Sequence, residues 1–187
     1  MPGRTFTAVY LDVGDVVLRK ARESDREAII AHAIDPDVRA HLGGPQPRHA
    51  VEHDLDAAGV GAVTDAPGAF VLADKATDTL VGTMSLTRRG MHHPGHVAPG
   101  GEELELSYTL DRDRWGRGLA FRAAHAVLRA AAAELPDEPV IVVTDSRNTR
   151  SLRLARRLGF VPATTFVEYG AEQTLAVAHL RQFAERP

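Results

Sequence analysis

Leu110-Asp-Arg-Asp-Arg-Trp-Gly-Arg-Gly-Leu-Ala-Phe121 joins two segments of opposite character. Before it, Glu103 to Leu110 alternates acidic or small residues (Glu103, Glu105, Ser107) with apolar ones (Leu104, Leu106, Tyr108), the period of a strand with two unlike faces. After it, an alanine-rich helix is expected through about Glu134. The stretch is therefore a strand-to-helix turn. Gly116 and Gly118 admit backbone conformations closed to other residues and let an anion approach the N–H groups. The first turn of the following helix leaves N–H donors unpaired and carries about half a positive charge, so a pyrophosphate is its natural occupant. No Gly-Lys-Ser/Thr follows, which excludes a Walker loop. A third small residue would fall at Phe121, which excludes a dinucleotide fingerprint. Taken alone, Gly-x-Gly here also fits a plain tight turn.

Working outward, element types interleave. Thr5 to Asp12 and Val16 to Lys20 read as strands around the Val13 to Asp15 turn. Ser24 with Glu27 forms a capping-box pattern, opening a helix over Asp25 to Ala33. Asp35-Pro36 starts a second short helix that Gly43-Gly44-Pro45 ends, and another covers Arg48 to Ala58. Phe70 to Lys75 and Leu80 to Thr87 make a hairpin around Thr77-Asp78, with a loop from Arg89 to Gly101 after it. Pro139 to Thr144 is a continuously apolar strand, and Asn148 to Leu158 is a helix stopped by Gly159. Strands over Val161 to Tyr169 and Gln173 to Arg181 close the chain. This pattern predicts a mixed-sheet α/β (α+β) single domain over 1–187.

With 187 residues, 44% hydrophobic and 25% charged, the chain can bury a real core. Cysteine is absent, which removes disulfide scaffolds, thiolate metal sites and cysteine nucleophiles. The net charge of −3 argues against a nucleic-acid partner. Met1 to Tyr10 has no signal-peptide core, and no stretch approaches the roughly 18 apolar residues of a membrane span. A soluble cytoplasmic protein with no membrane partner is expected.

Trp115-Gly-Arg-Gly-Leu-Ala120 resembles the pyrophosphate loop of the GNAT acyltransferase superfamily, Gln/Arg-x-x-Gly-x-Gly/Ala, with Gly118 and Ala120 at the small-residue positions. Trp115 stands at the Gln/Arg position, as in the RimJ/RimL-type branch that acetylates ribosomal-protein N-terminal amines. Asn148-Thr-Arg-Ser-Leu-Arg-Leu-Ala-Arg-Arg-Leu-Gly-Phe160 is similar to that branch's Asn-x-x-Ser helix. Leu18 to Asp25, Asp35-Pro-Asp-Val38 and Leu42-Gly43 resemble its opening strand and two helices. The resemblance implies a splayed central sheet of about seven strands flanked by about four helices. It implies acetyl-CoA as co-substrate, no metal, and a peptide or small-molecule amine that attacks the thioester directly. Pyrophosphate would meet the N–H groups from Arg117 through Gly118, Leu119 and Ala120 to Phe121, beside Gly116. The backbone at Tyr108 to Leu110 would pair with pantetheine, and Asn148 would bond the pantetheine arm or phosphate region. A homodimer is implied as well, with the last two strands as edges. A non-catalytic acyl-CoA sensor and an antibiotic-modifying enzyme are the alternatives.

Acyl transfer needs a neutral amine, and at pH 7 a lysine-type amine lies about 3.4 pKa units, roughly 4.6 kcal/mol, from neutrality. Glu105 matches by position the glutamate that many GNAT enzymes use as a base; otherwise it is a solvated strand carboxylate. Where many of them place a thiolate-protonating tyrosine this chain has Ala155. Ser151 resembles the serine suggested for that role, or is a helix-start hydroxyl bonded locally. Tyr108 is a further candidate, or a core aromatic. Arg150, Arg153 and Arg157 share one helix stripe, either a solvated face or phosphate ligands, Arg153 foremost. His92, His93 and His96 are expected near the acceptor mouth or in solvent, and His49 with His53 lacks the partners of a metal site.

Charge divides at Asp111. Residues 1–111 carry 17 acids and 10 bases, and residues 112–187 carry 8 and 12. Nine of the 20 arginines fall in 112–122 and 147–157, the two segments assigned to an anionic coenzyme.

Overall fold

A computed structural model describes residues 5–184. The expected domain of 1–187 and the reading of Met1 to Tyr10 extend past these limits. Among the described residues, eight strands and four α-helices form a mixed α/β fold. The strands are β1 (Tyr10–Val13), β2 (Val16–Arg19), β3 (Ala69–Asp74), β4 (Leu80–Arg88), β5 (Leu104–Leu110), β6 (Pro139–Asp145), β7 (Val161–Glu168) and β8 (Ala171–His179). The helices are α1 (Arg26–Ile34), α2 (Arg48–Ala58), α3 (Leu119–Glu134) and α4 (Thr149–Leu158). Hydrogen bonding follows the order β1-β2-β3-β4-β5-β6-β8-β7. The eight strands correspond to the eight segments read as strands, one more than the resemblance implies, and Gly14, at φ +74°, sits in the two-residue turn of the β1–β2 hairpin. β1 starts at Tyr10 rather than Thr5, because Tyr10 pairs with Arg19 and β2 ends there.

Contacts gather the chain into two compact units. The first comprises Thr7–Ser85 and Tyr108–Leu119; the second contains Leu86–Ser107 and the chain from Ala120 onward. In the first, β1 to β3 and the start of β4 are antiparallel. Ile29 and Ile30 of α1 and Val51 and Leu55 of α2 form one apolar cluster with Val71 and Leu80. The fully buried Arg19 forks onto Asp25 at 2.7 and 2.9 Å and reaches Asp78 at 2.8 Å. The Asp25 carboxylate also accepts the Arg22 N–H at 2.8 Å. This gripped carboxylate organises the start of α1, in place of the expected Ser24–Glu27 box. The short helix expected from Asp35-Pro36 does not form either. Asp35 Oδ1 accepts from the N–H groups of Asp37 and Val38, and the Arg39 guanidinium donates to Leu42 O and Gly44 O. These local bonds hold a run of turns and compete with the helical ladder.

In the second unit β5 runs parallel to β6, while β8 is antiparallel to both β6 and β7. Ala123, Ala124, Val127, Leu128 and Ala131 give α3 a buried stripe of mostly small side chains at helical spacing. α4 ends as expected at Gly159, φ +95°, with Phe160 N–H donating to Ala155 O at 3.0 Å. The expectation that the last two strands are both edges fails for β8, which is paired on both sides and buries Leu175, Ala176 and Ala178. β7 alone of that pair is an edge, with Val161 and Val167 exposed.

Candidate active site

The 110–121 stretch leaves β5 at the buried Leu110, makes a short 3-10 turn over Arg112–Arg114, and enters α3 at Leu119. Its base is anchored. Asp111 N–H donates to Val81 O at 2.9 Å, Arg114 reaches Asp74 at 3.0 Å, and Arg112 pairs with Asp37. The Trp115 indole N–H donates to Leu110 O at 2.8 Å. One carbonyl expected to meet pantetheine is thus already engaged, and the polar atom of Trp115 works inside the turn. At the tip, Gly116 (φ +74°) and Gly118 (φ +71°) flank Arg117, and all three are exposed. Both glycines are needed for the left-handed backbone. Within the same unit, Gly82 of β4 lies so close to Thr109 O that a Cβ there would sit 2.3 Å from it.

In the second unit the first turn of α3 exposes Ala120 and Phe121 in part. Phe121 stacks on His125, centroids 6.0 Å apart, and the Arg157 guanidinium lies 4.6 Å from the Phe121 ring centre. Asn148 caps α4: its Oδ1 accepts the Ser151 N–H at 3.2 Å, and its Nδ2 donates to Thr144 Oγ1 at 3.2 Å. Arg153 reaches only back to Thr149 of its own helix, at 3.5 Å. Arg157 of the arginine stripe is brought to the start of α3.

Glu105 faces a buried network. Arg89 donates from Nη1 to Glu105 Oε2 and from Nη2 to Glu168 Oε2, both at 2.9 Å, and twice to Pro94 O. One of the two Glu105 carboxylate oxygens is thus occupied by a guanidinium. Two of the three loop histidines are held in place, His93 by Glu168 and His96 by Glu103, each at 2.7 Å, while His92 is exposed, as the solvent reading has it. Among the described residues no three His, Cys, Asp or Glu side chains gather as a metal site, and His49 and His53 are exposed. Burial acts to raise the Glu103 carboxyl, but the Ala98 N–H, the His96 ring and the Val97 N–H outweigh it and hold it below the ordinary 4.5. Glu168 is likewise pushed up by burial and pulled down further by His93 and Arg89. Carboxylates lowered on folding add stability that is complete above their ordinary value and is lost as pH falls through the depressed one. The melting temperature should therefore drop on acidification below about pH 4.5. Calorimetry of Glu103→Gln should show a shallower acid slope, and an unchanged slope would remove Glu103 from this account.

The first unit holds a constellation that no sequence pattern pointed to. His32 of α1, 8% exposed, bonds Asp111 Oδ1 through Nδ1 at 2.7 Å and Thr109 Oγ1 through Nε2, and Thr109 Oγ1 lies 2.7 Å from Thr83 Oγ1. A partly open cavity of about 170 Å³ is lined by Ile29, His32, Ala33, Arg39, Leu80, Thr83 and Thr109.

The family model for the acetyltransferase (GNAT) domain matches residues 15–161. The chain belongs to that family. Similar folds recur among solved structures. A GNAT-family acetyltransferase from Bacillus anthracis is 18% identical over 92% of this chain and 99% of its own, with a TM-score of 0.73. Ribosomal-protein-S5-alanine acetyltransferase from Vibrio fischeri is 20% identical over 96% and 100%, TM-score 0.66. Spermidine N-acetyltransferase from Vibrio cholerae, solved with CoA and spermine, is 14% identical over 90% and 98%, TM-score 0.67. As a GNAT acetyltransferase, the protein departs from the common pattern at Ala155, which is 3% exposed and offers no hydroxyl for protonating a thiolate.

Proposed function

We propose that the protein transfers acetyl from acetyl-CoA to a primary amine, either a peptide N-terminal α-amine or a small-molecule amine, by direct attack on the thioester. The observation that carries this reading is the exposed Gly116-Arg117-Gly118 tip between β5 and α3 in a chain of this family. Its N–H groups and the start of α3, from Leu119 through Ala120 to Phe121, suit a pyrophosphate. The Arg157 guanidinium adds positive charge beside Phe121 and replaces Arg153 as the favoured phosphate ligand. Asn148 and Ser151, at the start of α4, are assigned to the coenzyme and its leaving thiolate, and Tyr108 lies on the strand that feeds the turn. The chain acts as one acyltransferase domain, a reading supported by β4 and β5, each of which belongs to both units. β7 is the edge available for a homodimer.

Support for amines of both kinds comes from the fold relatives, one named for a ribosomal-protein alanine and one for spermidine. Glu105 keeps Oε1 for an acceptor's positive charge while Arg89 holds Oε2. Glu105→Gln should then lower transfer about tenfold or more at neutral pH, chiefly through a raised KM; unchanged transfer removes Glu105 from the reaction. The deciding assay follows coenzyme A release with acetyl-CoA over peptides, aminoglycosides, polyamines and amino acids. Release with one acceptor class supports the reading. Tight acetyl-CoA binding with release to none of them makes the protein an acyl-CoA sensor instead.

A further inference from the structure

We propose that Asp111, His32, Thr109 and Thr83 form a proton relay that deprotonates the acceptor amine, and that the adjoining cavity receives that amine; this rests on the acetyl-transfer reading above. The direction of the relay follows from hydrogen-bond valence. Asp111 as a carboxylate accepts only, so His32 Nδ1 carries a hydrogen, and in the neutral ring on which the relay is built Nε2 is an acceptor. Nε2 then takes the Thr109 hydroxyl hydrogen, and the Thr109 oxygen takes that of Thr83. Every donor points toward Asp111. The open end is the Thr83 oxygen, whose remaining lone pair is an acceptor in the wall of the cavity.

An ammonium donating to Thr83 completes the chain. One of its protons passes to Thr83 as Thr83 hands its own to Thr109 and Thr109 to His32 Nε2. His32 becomes an imidazolium against Asp111, which is 37% exposed and lets the proton leave to water. The freed nitrogen lone pair forms the N–C bond at the acetyl carbonyl of acetyl-CoA. The C–S bond breaks, and the second N–H proton goes to the departing sulfur. The other charged groups facing His32 are few. Asp35 lies within its electrostatic reach and that of Arg112, and Arg39 lines the same cavity. Arg39 opposes a second positive charge, so the cavity selects an amine carrying one charge over a polyamine. Ile29, Ala33 and Leu80 suit a short apolar body next to the nitrogen.

The test compares wild type with His32→Gln and Thr109→Val. Each variant should lose roughly a hundredfold in kcat at neutral pH. The deficit should shrink as pH rises toward the amine's own pKa near 10, where no proton acceptor is needed. A deficit constant across pH, or full activity, overturns the relay while leaving acetyl transfer standing. A second readout needs no turnover: 15N NMR of the wild-type protein should show His32 as the Nδ1–H tautomer, with its signals moved by butylamine but not by spermidine. The other tautomer, or no response to butylamine, overturns the proposal even if no acceptor is ever acetylated. Folded variants are verified by circular dichroism, and Asp111→Asn, which keeps the side-chain shape, serves if His32→Gln does not fold.

Discussion

Arg89→Met is expected to destabilise the protein by about 3–5 kcal/mol, the range for removing one partner of a buried ion pair. The Arg89 side chain is 5% exposed, and its partners Glu168 and Glu105 are 9% and 21% exposed. None is solvated enough to escape the loss. Without the guanidinium, two carboxylates face each other in a low-dielectric setting, and Pro94 O loses both of its donors. The removed cation also leaves the Phe166 ring, 5.8 Å away. For a chain of this length the melting temperature should fall by roughly 10 °C. Arg89→Lys keeps the charge but not the fork, so it should fall between the two. Adding Glu168→Gln to Arg89→Met should restore part of the loss, because it removes one uncompensated charge. Thermal denaturation of these variants provides the measurement, and a drop below about 1 kcal/mol for Arg89→Met would place the pair among weak surface ion pairs.

Replacing Gly116 and Gly118 together by valine is expected to weaken coenzyme A binding by roughly a hundredfold or more. A β-branched residue in the left-handed region costs on the order of 1–2 kcal/mol, and two such positions add. At Gly116 a Cβ would meet nothing within 4 Å, so strain arises from the backbone and not from collision. The exposed tip relieves it by leaving positive φ, which turns the N–H groups away from the anion. Affinity should therefore fall while the fold, anchored below by Trp115, Arg114 and Arg112, persists. Calorimetric titration with coenzyme A, paired with a melting curve, separates the two effects. Equal affinity in the double variant would show that the tip does not hold the pyrophosphate.

What the sequence made legible is local. The strand-turn-helix from Glu103 to Glu134, the hairpin around Thr77-Asp78 and the Gly159 cap follow from period and turn chemistry within a few residues of each other, and they appear as read. The turns after Asp35 arise from local bonds, but the other departures come from contacts far apart in the chain. Ser24–Glu27 yielded to Asp25 because Arg19, itself held by Asp78, grips the Asp25 carboxylate, and Asp78 comes 59 residues after Arg19. Glu105 reads as a strand carboxylate, yet Arg89 and Glu168, distant in sequence, decide what it can do. His32 meets Thr109 and Asp111 across 77 and 79 residues. No periodicity or spacing rule links a helix histidine to the end of a strand that far along the chain. Among the histidines, those of 92–96 are crowded in the sequence, whereas the buried His32 imidazole with a carboxylate behind it stands alone there.

The chain has a single tryptophan, and Trp115 is hydrogen-bonded through its indole inside the turn. Indole emission, excited on the red edge where tyrosine does not absorb, thus originates from one known place. The protein carries a built-in optical probe at the point where an anion is expected to settle. Occupancy of that turn can be followed by quenching or spectral shift in unlabelled protein, titration by titration, with no second chromophore to subtract.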